Sequence, residues 1–592
     1  MKNDKNSSLK EKIKNMLTNK KVLSIIFAFI SYIYLCLVNI IPIYNVFSWL
    51  LFACIIFAYM KTDFTCKKHI ELRKEIIVLA LLFSFLILYG SLLYDLKLDR
   101  QVSILRILLS FKSVLSYFGI FSMVYFVLDN LYPKLISYTM KYSDNKNKTK
   151  LVFFGCTLIM LVCWLPYFLR YFPGTLTPDS FKELEIVVNN FKVISDHHPV
   201  IHVLFIAIPY SIGYKIFGTP NAGVAFYSIT QMILLACMFS SSIVFLYKRR
   251  INKNVLLLIL LYYALVPMHG FFSIVMWKDV MFSGLVLLLT IELVKVLEKE
   301  KNNSLTFRNM ISFIIISILC VFFRNNAIYM YSILIIFTLV IFRKHYKVLA
   351  LSFLIVIGVY VFVKGPVFNW LDIKKSSSAE YIGMPLQQIG RMAYKDVKFT
   401  KKEKELINKL IPLKVMSDVY NPAASDYIKF DKKYNSKAFD DNKIEYFKLW
   451  VQLIIKHPTV AIEAYSISTL GYWYPGVEYW SVAEGINENK LGIETKNKSN
   501  KIITEYVDNI DSKTIPIVCM EWSIALCYWI ILILAFVTRR IKNKKSLYVF
   551  IPIFGIWITM LIASPVFGEF RYVYGAFATL PLLMVYPYLK LK

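Results

Sequence analysis

The amino-acid sequence predicts an all-α polytopic membrane protein of about fourteen transmembrane helices, and three observations carry that prediction. Of 592 residues, 57% are hydrophobic and only 18% charged, where a soluble domain carries about a quarter charged. Mean hydropathy is +0.54, and apolar runs such as 151–169 and 254–268 recur along the chain, each at or near the ~20 residues that span a bilayer. The formal charge of +31, from 69 Lys and Arg against 38 Asp and Glu, is concentrated in short loops between those runs. That is the positive-inside pattern, in which cations stay on the cytoplasmic side. A soluble enzyme, a disordered tail and a fibrous protein are excluded, and nucleic acid is not an expected partner.

Taken in order, spans at 22–43, 46–60, 76–95 and 113–132 make an N-terminal four-helix membrane segment, 1–150. Lys2–Lys21 leads into the first span without a cleavable signal, and the lysines of 61–75 and 133–150 hold those loops in the cytoplasm. A second membrane module, 151–364, has spans at 151–172, 221–247, 254–272, 279–297, 309–323, 327–342 and 347–364, with its first outer loop at 173–199. Within it, 198–217 is apolar yet holds His198, Pro199, His202, Pro209, Gly213 and Lys215. A full crossing there would put Lys248, Arg249 and Arg250 outside, so the segment is expected to be re-entrant or interfacial. Segment 365–512 reads as an extracytoplasmic insert, helical or mixed, resting on the membrane. Spans at 513–538, 546–564 and 572–589 complete a C-terminal three-helix segment, 513–592. Both termini are then cytoplasmic in a multi-pass plasma-membrane protein.

Eight of the nine Cys lie in or beside apolar runs and Cys66 sits in a Lys-rich loop. With no CxxC or Cys/His spacing, neither disulfides nor thiolate metal sites are expected.

The chemistry-bearing residues gather at the outer ends of the spans. The loop after 151–172 reads YFPGTLTPDSFKELEIVVNNFKVISDHHPVIHVLF. In it, Asp179 either caps a helix opening at SFKELEIVVNNF or acts as a general base at the membrane surface. Asp196, His197 and His198 close the same loop. Two adjacent imidazoles are a weak metal signal without a third ligand; a divalent cation on Asp179, His197, His198 and Asp279 stays open as an alternative. Further along come Trp277-Lys278-Asp279, Arg324-Asn325-Asn326, and Glu569, Arg571 and Tyr572 in SPVFGEFRYVYG. Ionisable groups at membrane depth are costly and mark functional sites by default. A carboxylate facing Lys278, Arg324 and Arg571 beside lipid is what transfer from a lipid-linked phosphate needs: cations for the leaving phosphate, a carboxylate for the acceptor hydroxyl.

On these residues the chain resembles the GT-C superfamily of membrane glycosyltransferases, which use polyprenyl-phosphate sugars on the outer face of the membrane. The resemblance covers roughly 150–365 and 513–592 and rests on PGTLTPDS, on DHHPVIHVLF followed by GYKIFGTPNAGVAF, on WKD at the start of a span, and on the late Arg of GEFRY. Where the superfamily has a His-Pro-Pro run, this chain has His197-His198-Pro199. The resemblance implies Asp179 as catalytic base, Asp279 as a second acidic position and Arg571 as a donor-phosphate contact; by their place at the outer face, Lys278, Arg324, His197 and His198 are further candidates to hold the donor phosphate, and Asp196 and Glu569 are supporting carboxylates. The whole chain also looks like a group of large membrane proteins of Gram-positive bacteria whose motifs resemble DS, HHP, WKD, RNN and PLQQIGR.

The expected activity is transfer of a sugar from a polyprenyl-phosphate donor to a cell-envelope glycan or glycolipid. A lipid-linked oligosaccharide flippase would instead place charges mid-span in two similar halves. A polysaccharide polymerase or ligase would lean on Arg and His in a large loop. A scaffold would need none of these residues.

Overall fold

The structure is a computed structural model that describes residues 19–42, 45–62, 70–143, 148–374, 382–510, 518–564 and 566–590, with the main chain alone at 70, 518 and 519. The basic N-terminal stretch from Lys2, Cys66 and the Cys519 side chain lie outside the described residues.

In chain order the longer helices are α1 (Lys20–Leu37), α2 (Val46–Met60), α3 (Ile70–Leu96), α4 (Phe111–Ser137), α5 (Thr149–Arg170), α6 (Pro178–Val188), α7 (Val200–Phe217), α8 (Pro220–Tyr247), α9 (Lys253–Leu265), α10 (Pro267–Ile274), α11 (Lys278–Lys301), α12 (Phe307–Phe323), α13 (Ala327–Ile341), α14 (Tyr346–Phe362), α15 (Gly383–Tyr394), α16 (Lys443–Lys456), α17 (Pro458–Ser468), α18 (Ile524–Ile541), α19 (Ile551–Ala563) and α20 (Phe570–Val585). Among the described residues there is no strand, only isolated bridges. Ten helices among the described residues are long and apolar enough to cross a membrane, and the bent pair α9–α10 makes an eleventh. Three shorter apolar helices, α2, α12 and α13, add to these. The protein is a multi-pass, all-helical chain suited to a bilayer.

By its internal contacts the chain forms two compact units. The first draws on 1–138, 385–434 and 444–477, the second on 139–384, 435–443 and 478–592. Segment 365–512, expected as one insert, is divided between them.

The second unit is built around α11, whose apolar window is 89% buried, against 22–56% for the other long helices. Its two ends differ in chemistry. At one end Arg249 bonds Glu298 through two nitrogens at 2.5 and 3.0 Å, Lys545 reaches Glu300 at 3.1 Å, and Tyr142 bonds the Tyr588 carbonyl. These bonds bring the basic segments around 141–143, 248–253, 299–301 and 539–545 to a common end. At the other end lie the starts of α6, α11 and α20 and the Arg324 turn.

The structure separates the two readings offered for 198–217. Segment 198–217 does not dip and return: it is the unbroken helix α7, which by length and composition could cross. Gly218 ends it at φ +68°, a conformation that suits glycine, and Thr219 and Pro220 start α8 at once. The two helices lie close because Gly213 and Gly223 carry no Cβ to strike Phe226 and Tyr210. Yet the Ser143 N–H donates to the Arg250 carbonyl at 2.8 Å, so the chain between them returns to its starting end. The two spans α5 and α8 accomplish that, and α7 adds no net crossing. The break falls instead between α9 and α10, bent by 51°. There Pro267 forces Val266 into an extended conformation, and α10 then leads into Trp277-Lys278-Asp279.

Candidate functional site

The site begins with a helix cap, and the cap is not Asp179. Pro178 occupies the first helical position of α6, where a missing N–H costs nothing, so Thr177 is the N-cap and forms a capping box with Ser180. The Trp277 indole N–H donates to Thr177 Oγ1 at 2.8 Å and the Ser180 hydroxyl to the Met276 carbonyl at 2.7 Å. These bonds weld the start of α6 to the turn before α11. Asp179, released from capping, points at Arg571 and accepts a bond from its Nη1 at 2.9 Å, with 31% of its side chain exposed.

Around that pair lies an alternation of charges. Arg571 Nε stands 3.5 Å from Glu569 Oε1 without a hydrogen-bond partner, and its guanidinium packs over the Trp277 ring at 5.1 Å. Arg324 lies 3.2 Å from Asp279, but its Nη1 donates to the Tyr572 carbonyl at 2.7 Å. Neither Asp279 oxygen finds a hydrogen bond, although Asp279 is 0% exposed. Lys278, partly exposed, makes no hydrogen bond or ion pair with a described residue and acts on Asp179 by charge. A buried carboxylate with unmet oxygens costs several kcal/mol. Those oxygens call for a donor, whereas the two arginines, which have donors to spare, suit an anion with several oxygens.

The carboxyls sit at opposite extremes of acidity. Burial alone would raise Asp179, but Lys278, Arg571 and His198 overcome it and hold the carboxyl at about 2. Glu569 is pushed up to about 7, by burial first and then by Asp279 and Asp179, with Arg571 opposing.

A second layer went unseen in the sequence. Glu183, one turn along α6 from Asp179, accepts from His202 Nδ1 at 2.8 Å and lies 3.4 Å from His198 Nδ1. His202 Nε2 meets the Tyr227 hydroxyl at 3.1 Å, and Tyr227 donates to Gln231 Oε1 at 2.7 Å. The Gln231 amide nitrogen donates to the Ser273 and Val275 carbonyls at 3.0 and 2.7 Å, which fixes its orientation. Tyr227 thus spends its proton on Gln231, and His202 stands between Tyr227 and Glu183. Burial opposes ionisation of Glu183, but His202 and His198 hold its carboxyl well below the usual range. The chain ties α6, α7, α8 and the segment before Trp277 into one frame. A histidine and a carboxylate inside an apolar pattern were the signals for it.

The remaining expected residues divide. Asp196 does not join Asp179: it pairs with Lys364, while Asn325 bonds the Asp196 carbonyl at 2.8 Å and receives Lys364 at 2.9 Å. It anchors the loop. His197 is exposed, edge-on to His198 at 4.6 Å between ring centres. Among the described residues no three His, Cys, Asp or Glu side chains are arranged to hold a metal ion. Asp179, Asp279 and His198 each face a different partner, so that set does not fit a cation.

A cleft of about 420 Å³ adjoins Asp179, lined by Leu176, Thr177 and Pro178 on one side and residues from Trp480 to Asn487 on the other. Trp480 meets Trp277 edge-on at 5.6 Å.

No curated protein and no solved structure matches the chain. A family model does, over residues 186–589, a stretch that takes in Asp279, Arg324, Glu569 and Arg571 and starts just beyond Asp179. With more than half of its length matched, the chain belongs to that family, described as a family of unknown function (DUF6020).

Proposed function

We propose that the protein is a membrane glycosyltransferase of GT-C type, moving one sugar from a polyprenyl-phosphate donor to a cell-envelope glycan or glycolipid. One observation carries the reading: Asp179 is relieved of capping by Thr177 and faces Arg571 instead, in a cluster with Lys278, Arg324 and unsatisfied buried Asp279. The cluster stands at the end of the second unit opposite its basic segments. Positive-inside orientation makes those segments cytoplasmic and the cluster extracytoplasmic, with about fourteen crossings in the plasma membrane and both termini inside.

In the reaction the donor phosphate takes Arg571 and Arg324, with Lys278 beside it. Asp179 loses its ion pair, and burial then raises its basicity toward the range useful to a general base. The acceptor hydroxyl gives its proton to Asp179 as its oxygen bonds the anomeric carbon. The bond from that carbon to phosphate oxygen breaks, and polyprenyl phosphate leaves with the electron pair, its charge held by the two guanidiniums. The displacement inverts the anomeric carbon. His198 and Glu183 brace the loop that carries Asp179.

The test is a deletion strain complemented with wild type or Asp179→Asn. Envelope sugar analysis should show one sugar missing from the deletion and from Asp179→Asn, restored by wild type. An unchanged envelope in the deletion strain would sink the reading. Cysteines placed at 173–199 should label from outside, and those beside Lys248 only after permeabilisation.

A further inference from the structure

The cleft between 176–178 and 480–487 has no part in holding the donor phosphate, and its chemistry is opposite to that of the arginine cluster. Its walls are Leu176, Val482 and Ala483, all buried. Into it is set Ser481, 3% exposed, whose hydroxyl has no hydrogen-bond partner. At the rim stand Asn487, Glu484 and Trp480, the last 53% exposed. Glu484 is the one charged residue among those lining it, so the cleft disfavours anions, while the arginines beside Asp179 attract them.

The segment is also held in place. The Gly485 carbonyl accepts the Leu176 N–H at 3.3 Å, and Tyr479 is fixed between the Trp522 carbonyl and the Ile524 N–H at 2.5 and 2.7 Å. Trp277 links the two, with Arg571 over its ring at 5.1 Å and Trp480 edge-on to it at 5.6 Å. Pro178 lines the cleft and Asp179 is the next residue of the same helix, so the cleft opens beside the turn that carries the base.

Resting on the glycosyltransferase reading, we infer that this cleft is the acceptor site and that it takes an uncharged saccharide. An exposed indole face packs against the C–H face of a sugar ring, whose hydrogens meet the ring's negative face. A buried unsatisfied hydroxyl, an amide and a carboxylate at the rim supply partners for several sugar hydroxyls. The volume lies within the ordinary range of small-molecule pockets. A phosphate-rich polymer would meet Glu484 and find no cation in the cleft.

Two variants test this without knowledge of the acceptor. Ala483→Trp fills the cleft, and Asn487→Trp blocks its mouth from an exposed position should the buried change fail to insert. Each is scored in cells by envelope sugar analysis and as purified protein by binding of a polyprenyl phosphate. The expected result is loss of the transferred sugar, at least tenfold, with polyprenyl-phosphate affinity within twofold of wild type. Trp480→Ala should weaken transfer in the same way and Trp480→Phe restore most of it. Unchanged sugar in both blocking variants overturns the acceptor site, and so does loss of lipid-phosphate binding together with transfer. If Asp179→Asn abolishes the sugar while the blocking variants do not, only this inference fails. If Asp179→Asn also leaves the envelope unchanged, the glycosyltransferase reading itself has failed.

Discussion

Glu463 in the first unit and Asp279 in the second are carboxylates at 5% and 0% exposure, each beside an arginine, yet they are treated in opposite ways. Glu463 accepts from the Ile104 N–H at 3.2 Å, Lys395 at 2.7 Å and Arg391 at 3.4 Å. Those cations in turn donate to the carbonyls of Lys97 and Val102. Both Glu463 oxygens are satisfied, and the group stitches α15 and α17 to the chain after α3. Asp279 has an arginine 3.2 Å away and no hydrogen bond at all. A carboxylate with both oxygens met rigidifies a fold, even where Arg391 Nε stays without a partner; one with neither oxygen met implies a missing donor. The contrast assigns PLQQIGR, which contributes Arg391, to structure, and WKD with RNN to the site.

The largest expected effect breaks the structural member. Glu463→Ala strands Arg391, which is 0% exposed, and uncoupling a buried pair costs about 3–5 kcal/mol. Thermal unfolding in detergent should show a clear drop in Tm and a reduced yield of inserted protein. A variant of normal Tm would mean that the two clusters do not differ in kind.

On the functional side, Asp179→Asn should slow transfer at least about a hundredfold, the low end of what a positioned base contributes, with Tm lowered only modestly by the lost ion pair because Thr177 keeps the cap. The same variant should bind polyprenyl phosphate a few-fold more tightly than wild type. The anion no longer competes with Asp179 for Arg571, and a partly exposed ion pair is worth about 0.2–1 kcal/mol. Weaker binding would show that Asp179 organises Arg571 rather than occupying it. Arg571→Lys keeps the charge and loses the planar fork. Transfer should fall roughly tenfold to a hundredfold, the equivalent of one charged hydrogen bond of about 1.5–3 kcal/mol, without loss of protein.

What the sequence revealed follows from what acts locally. Apolar run length and loop charge marked the helices of both units and the basic end of the second, because a span needs only its own residues. The cap was assigned too far along: the sequence offered Asp179, and Pro178 at the first helical position puts Thr177 there instead. The pairing of Asp179 with Arg571 joins positions 392 residues apart, and no local pattern specifies it. Tyr227 and Gln231 were invisible for another reason. Inside the apolar run of α8 they add little polarity, and their purpose exists only once α7 brings His202 against them. Asp196 misled because acidity was visible while Lys364, its partner, lay 168 residues away.

The smallest effect separates the carboxyls by pH. Glu569 is raised in the folded protein to about 7 by burial and the neighbouring carboxylates, from an ordinary value near 4.5. Between those values the folded state holds a proton that the unfolded chain has released. Its stabilising contribution is therefore complete below about 4.5 and is lost as pH rises through about 7. Asp179 runs the other way: held at about 2, it contributes above its ordinary 3.8 and fails only in strong acid. Glu569→Gln keeps a neutral side chain at every pH. It should leave Tm unchanged at pH 5 and raise it modestly at pH 8, flattening the decline that wild type shows between. Asp179→Asn should leave that decline in place, merely shifted toward lower pH by the loss of one neighbouring negative charge. A wild-type Tm flat from pH 5 to 8, or a slope that survives Glu569→Gln, would place Glu569 as an ordinary ionised partner of Arg571. The cluster would then carry the full charge of Glu569 at neutral pH, and an arriving phosphate would have to displace Asp179 against it.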